Sequence, residues 1–197
     1  PPGASHYPRS ARADFAGQPQ AERAGLARAL LAEAGYGPGR PLRFSLSYAS
    51  SDVNRRVAVA LASMWQAIGV RADLKALEQR ALVAEVGRGD FDAVRFQWFG
   101  GTTDPVSFLE RLETEAGALN QSGWSNPRYD GLVREAERTA DVGRRAALLA
   151  QAEALALAEQ PVAPLYFYAG RRVVSRRVTG WEDNVRGVHL SRWLDLR

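Results

Sequence analysis

The sequence predicts an α/β protein, a sheet flanked by helices, and three observations carry that expectation. Runs with a two-residue apolar period recur at 41–48, 70–77 and 91–99, the period that puts alternate side chains on one face of a strand. Stretches with helical spacing of leucine, valine and alanine lie between them. Glycine, proline or a capping residue marks the joins. Strand and helix in alternation favour a sheet covered by helices on its faces.

Each element follows in order. Residues 1–20 are rich in Pro, Gly, Ser and Arg without periodicity, which reads as an extended surface segment. From Ala21 the spacing turns helical, with Leu26, Leu30 and Leu31 on one face, until Gly35, Gly37, Pro38 and Gly39 stop it. Leu42, Phe44, Leu46 and Tyr48 then share one face of a strand. Ser51 or Asp52 can cap the next helix by accepting its free N–H groups. Val53, Val57, Leu61, Met64, Trp65 and Ile68 form its apolar stripe, which ends at Gly69. Val70 to Leu77 reads as a second strand, Glu78 to Val86 as a short helix, and Phe91 to Phe99 as a third strand.

Helices are expected at Pro105 to Leu112 and Pro127 to Thr139. Asp141 can cap a longer one reaching Glu159, with Leu148, Leu149, Ala152 and Leu155 inward. Pro161 ends it, and Val162 to Tyr168 reads as a strand whose Tyr166 and Tyr168 share a face.

Composition narrows the function. At 197 residues with 46% hydrophobic content, the chain can bury one sizeable core, since domains hold about 100–200 residues. No run approaches the ~20 apolar residues that cross a bilayer, and the start lacks the features of an export signal. The charge of +4 is carried by arginines, with Lys75 the sole lysine, interleaved with acids along the chain. That pattern argues against a nucleic-acid role. The absence of cysteine excludes disulfides and thiolate chemistry.

Enzyme chemistry finds few footholds. His6 and His189 are the only histidines, and neither belongs to a metal-binding spacing. No nucleophile elbow or phosphate-binding loop occurs. Glu113 and Glu115 read as part of an ordinary charged helix, without a partner that would make either a general base.

The densest signal is Phe91 to Leu109, where a strand-like run leads into glycines and an Asp-Pro helix start. Arg95 sits mid-strand between Val94 and Phe96, and a buried unpaired charge there would cost several kcal/mol, roughly 3–5. Its planar fork suits a carboxylate, from a ligand or from Asp92 or another acid nearby. Trp98 and Phe99 precede Gly100 and Gly101, so an aromatic wall stands beside bare backbone. Such a wall suits an extended peptide held by main-chain hydrogen bonds, although Trp98 also fits a core. Asp104 reads as the cap of the following helix, with Pro105 at its start.

This stretch, with Ala27 to Tyr36, Trp65 to Val70, Ser125 to Asp130 and Pro164 to Tyr168 in the same order, resembles the oligopeptide and dipeptide solute-binding proteins of ABC importers, bacterial extracellular solute-binding protein family 5. The resemblance implies a type II periplasmic-binding-protein fold, of which this chain would be the C-terminal lobe with a mixed sheet. Residues 1–165 would be the substrate-binding lobe, and 166–197 would return toward a first lobe outside this sequence. It also implies capture of a peptide between two lobes, without a cofactor or metal, in a periplasmic receptor that is monomeric when full length. The receptor would deliver its ligand to an inner-membrane permease, with its export signal outside this segment.

Family members often carry arginine at the position of Arg95 and a ligand-touching tyrosine at that of Tyr168. Some place a basic or polar side chain at that of Asn54, where an exposed helix residue is the plainer reading. Peptide-binding members usually carry an aspartate for the ligand's free amino terminus where this chain has Gly101. That departure leaves open a modified peptide, a sugar or another solute, or a protein-interaction domain that has lost transport.

Overall fold

In the computed structural model, which describes residues 11–184 and 187–197, the alternating runs become a sheet around one central strand. Half of the expected extended segment, residues 1–10 with His6, lies outside the described residues. Its remainder holds a single 3-10 turn at Asp14–Gly17. The chain divides between Trp98 and Phe99 into two compact units, 13–98 and the portion from Phe99 onward, with the described residues before 13 joining the latter. Residues 166–197 belong to the same unit as 99–165.

The first unit begins with α1 (Gln20–Glu33). Strands β1 (Arg43–Ala49), β2 (Arg71–Leu77) and β3 (Ala93–Arg95) then form a parallel sheet in the order β2-β1-β3. Helix α2 (Asp52–Gln66) connects β1 to β2, and α3 (Gln79–Arg88) connects β2 to β3. Parallel neighbours require such crossovers. Ser51 caps α2 by accepting the Asn54 N–H at 3.2 Å, as one of the two expected residues.

The two faces of β1 differ in chemistry. On one, Leu46 and Tyr48 are buried against Ala58 of α2, with Phe44, Leu61, Trp65 and Ala93 around them. Phe44 and Trp65 meet edge to face at 5.0 Å, a favoured aromatic geometry. On the other face, fully buried Ser47 donates its hydroxyl to Glu85 of α3 at 2.6 Å. Lys75 lies opposite Ser47 on β2 and donates to the other Glu85 oxygen at 2.5 Å. The sole lysine thus answers a buried carboxylate. The Lys75 hydrogen bond first, then that from Ser47, hold Glu85 below the usual carboxylate range.

Two apolar expectations change here. Leu26 and Leu30 of α1 are 47% and 55% exposed, so the helical spacing marks a face that the first unit leaves open. On α2, Val53 and Met64 also remain exposed, while Ala58, outside the expected stripe, is the buried residue of the helix.

In the second unit, α4 (Val106–Leu109) runs into a 3-10 turn, and α5 (Pro127–Arg138) packs with α6 (Val142–Glu159). Ala136, Leu148 and Leu149 form the core, with Val106, Leu109 and Leu132 against it. Asn126 caps α5 by accepting two backbone N–H groups, and Asp141 caps α6 through Arg144 N–H at 2.7 Å. Fully buried Tyr129 donates its hydroxyl to the Leu109 carbonyl at 2.7 Å. Glu113 and Glu115 lie in a turn beyond the 3-10 segment rather than on the expected helix, because the backbone turns extended at Glu113.

Two strand expectations are corrected. The third strand spans only Ala93–Arg95, because its ladder with β1 ends at Tyr48 opposite Arg95. The Val162 to Tyr168 strand does not form, since 162–174 join no ladder among the described residues. The remaining strands, β4 (Val178–Thr179) and β5 (Asp195–Leu196), make a separate antiparallel pair.

Candidate functional site

The expected site residues fall on both units, and each is placed here within its own. In the first unit, Asp92 precedes β3 and fastens that strand to β1. Its carboxylate accepts both the backbone N–H and the hydroxyl of Ser45, at 2.8 and 2.9 Å. Those bonds, the backbone one first, hold Asp92 below its usual range. Arg95 ends the short strand opposite Tyr48, is 8% exposed, and donates to the Gln97 side chain at 3.2 Å. Trp98 is half-buried.

Asn54 is also half-buried rather than exposed. Its side-chain amide donates to the Ala49 carbonyl at 2.8 Å and closes the turn from β1 into α2. That bond adds to the Ser51 cap on the same turn, so one side chain ties strand end to helix start.

The glycine loop belongs to the second unit, and its two glycines do different things. At Gly100 a Cβ would lie 2.7 and 2.8 Å from ring atoms of Phe108, closer than real Cβ contacts. With glycine there, the ring of Phe108 of α4 rests directly on the backbone, and a side chain would oblige that ring to shift. At Gly101 a Cβ would meet nothing within 4 Å. The space beside Gly101 is open, and Phe99 next to the loop is 67% exposed.

Asp104 closes the loop and bears out the capping expectation. Its Oδ1 accepts the Val106 N–H at 2.9 Å, and its carbonyl accepts the Ser107 hydroxyl at 2.8 Å. A single guanidinium nitrogen of Arg145, on α6, donates to both carboxylate oxygens, at 2.9 and 2.8 Å. The capping spacing in the sequence pointed to the first role only. Arg145 lies 41 residues away on another helix, and nothing local to the loop identifies it as a partner.

Tyr168 ends the run 162–168, in which Leu165, Tyr166, Phe167 and Tyr168 are from 48% to 61% exposed. The expected shared face of Tyr166 and Tyr168 has no sheet behind it, since no ladder forms there among the described residues. Among the described residues no group of three or more His, Cys, Asp or Glu side chains is arranged to hold a metal ion.

Ser125 to Asp130 turns out to organise α5. Beyond the Asn126 cap and the Tyr129 anchor, Asp130 is buried and accepts the Thr114 N–H at 3.0 Å. Trp124 packs edge-on to Tyr129 at 4.9 Å.

Comparison with known proteins meets this geometry. The model for the bacterial extracellular solute-binding proteins, family 5 middle, matches residues 1–120, a span that includes the glycine loop. The periplasmic murein peptide-binding protein MppA of Escherichia coli K12 is 34% identical over 159 residues, covering 80% of this chain and 29% of that protein. The probable deoxycholate-binding periplasmic protein YgiS of the same strain is 34% identical over 151 residues, covering 76% and 28%. The structure of Burkholderia pseudomallei OppA superposes with a TM-score of 0.88 at 34% identity, covering all of this chain and 39% of that one. The chain thus spans under a third of the length of these curated relatives. With a family model across more than half its length and a matching fold over all of it, the chain belongs to the bacterial extracellular solute-binding proteins, family 5.

Proposed function

We propose that this chain supplies one wall of the ligand cleft in a longer periplasmic receptor, which captures short peptides and hands them to an ABC permease. Residues 1–165 would form the C-terminal lobe and 166–197 would return toward the other lobe. The observation that carries this reading is the run from Arg95 to Gly101. It leaves the sheet after three paired residues, joins no further ladder among the described residues, and ends beside an exposed phenylalanine and an open glycine. An extended peptide needs such a surface, with backbone to hydrogen-bond and aromatic side chains to pack on.

Each proposed contact has its own chemistry. Arg95 would favour a ligand carbonyl or carboxylate. Trp98, Phe99 and Tyr168 would offer aromatic contact, Gly100 and Gly101 bare backbone, and Asn54 a polar edge. The work would be capture rather than catalysis: two lobes close about the ligand, and the ligand stabilises closure only through contacts that the closed state alone makes. The peptide named in the description of MppA supports the ligand class.

The deoxycholate named for an equally identical relative supplies the opposing ligand in the test. Calorimetric titration of the full-length receptor with a tripeptide pool, and separately with deoxycholate, separates the two. Saturable heat with tripeptides alone is the expected result. Saturable heat with deoxycholate alone would overturn the peptide reading.

A further inference from the structure

We infer that the open cleft where α5 meets α6 docks an acidic segment of the permease, with Arg138 as its main contact. The inference rests on the receptor reading above and goes beyond it by naming a surface through which the ligand is handed on. The cleft holds about 780 Å³, and its walls include Gly131, Arg134, Glu135, Arg138, Asp141 and Arg144, all within the second unit. Three arginines meet two acids there, and both acids are already engaged. Asp141 accepts the Arg144 backbone N–H at 2.7 Å, and Glu135 accepts the Arg144 side chain, also at 2.7 Å. Arg138 is exposed and makes no hydrogen bond or ion pair among the described residues.

Helix stability does not account for this concentration of charge. Arg138 alone stands where a helix favours a cation, in the last turn of α5. Arg144 lies in the first turn of α6, where the dipole disfavours one. Its bridge to Glu135 is exposed on both sides, at 68% and 47%, and such bridges contribute little. Arg134 and Arg138 are one turn apart on one face, a spacing at which like charges repel. Asp130 holds Arg134, through its carbonyl at 3.2 Å and its carboxylate at 3.6 Å, and Arg134 also borders the cavity around Glu113. The charge available to a partner therefore rests first on Arg138.

The spacing names the partner's chemistry. Two arginines four residues apart on a helix start about 6 Å from each other along its axis. Alternate side chains of an extended chain are separated by about 6.6 Å, so an extended segment with acids at alternate positions offers each guanidinium a carboxylate to fork. Gly131 leaves the floor clear, since a Cβ there would meet nothing within 4 Å. A permease is the occupant because delivery needs a surface that the ligand leaves free, and none of the proposed ligand contacts lies on α5 or α6.

The test is uptake of tritiated trialanine by proteoliposomes that hold the receptor's own permease, as the concentration of full-length receptor is varied. The readout is the receptor concentration at half-maximal uptake, with trialanine affinity measured separately by calorimetry. Arg138→Glu is expected to raise that concentration about three- to fivefold, the strength of a charge pair at an exposed site. Its trialanine affinity should stay within about twofold of the unsubstituted value, estimated on the same exposed-site basis. The difference should shrink at high salt, where exposed charges are screened. Arg138→Lys keeps the cation and should change neither quantity. Arg128→Glu, on the same helix but outside the cleft walls, should also change neither.

An unchanged half-maximal concentration in Arg138→Glu would overturn the inference. So would an equal rise in Arg128→Glu, which would mean a general attraction between charges rather than a site. A matching loss of trialanine affinity in Arg138→Glu would overturn it too, by placing the effect on capture. Trialanine heat without uptake in the unsubstituted receptor would leave capture standing and overturn delivery, and this inference with it. Absence of trialanine heat would overturn the peptide reading itself.

Discussion

Strand β1 and the run 162–168 both read as strands in the sequence, yet they end in opposite conditions. In β1 the backbone is paired on both edges, by β2 and by β3. Its polar side chains are answered as well, Ser45 by Asp92 and Ser47 by Glu85. The other run joins no ladder among the described residues, and Leu165 to Tyr168 stand about half exposed. The difference is in partners rather than in intrinsic preference for extended backbone. Cross-strand neighbours and burial stabilise a strand more than composition does.

The sharpest way to break that contrast is one truncation in each region. Leu46→Ala removes a side chain that is 3% exposed at the centre of the first core, and should cost about 2–5 kcal/mol. Tyr168→Ala, at 60% exposure, should change the stability of this chain by less than about 0.5 kcal/mol. Urea denaturation followed by circular dichroism measures both. Equal losses would mean that Tyr168 is buried in solution.

In the second unit Tyr129 plays the anchoring part. Tyr129→Phe keeps the ring and leaves the Leu109 carbonyl without its donor, so a loss of about 1 kcal/mol is expected. Burial holds the Tyr129 hydroxyl well above its ordinary pKa, with the Glu113 and Asp130 charges adding to the effect. The folded state therefore keeps that proton more tightly than the unfolded state. The resulting stability is present below about pH 10 and lost as the pH rises above it, a loss that Tyr129→Phe should abolish.

Acid probes the answered carboxylates of the sheet. Glu85 and Asp92 are held below their ordinary values of 4.5 and 3.8, so the folded state binds their protons less tightly than the unfolded one. Their stabilisation is complete above about pH 5 and is lost as the pH falls through the lowered values. The denaturation midpoint should drop between pH 5 and pH 3, and by less in a Glu85→Gln variant. An equal drop in that variant would show that the Lys75 and Ser47 bonds carry no linkage.

Glu113 gives the smallest effect and the opposite sign. Burial raises its pKa, with Glu137, Asp130 and Glu110 adding to the rise against Arg134. The charged form is therefore unfavourable in the fold at neutral pH. Glu113→Gln should raise the midpoint slightly at pH 7 and leave it unchanged at pH 3, as thermal scans can measure.

Much of this was legible in the sequence because periodicity and caps are local. Ser51 and Asp141 cap the expected helices, and the two-residue period places Leu46 and Tyr48 in the core. The same period at Val162 to Tyr168 carries no information about a pairing partner, and the strand expected there does not form. The site divides in the same way. The Gly-Gly and Asp-Pro steps mark the loop, but Arg145 reaches Asp104 from 41 residues away, and the Phe108 ring that rests on Gly100 comes from the helix that follows. Gly100 and Gly101 look equivalent in sequence; only packing distinguishes the one covered by the Phe108 ring from the one that is open.

The central claim is that the run after β3 meets ligand while β1 serves as scaffold. Hydrogen exchange of the full-length receptor, with and without a saturating tripeptide, tests it most directly. The account predicts that ligand slows exchange across 96–103 and leaves 43–49 unchanged. Unaltered exchange at 96–103 under saturation would contradict it.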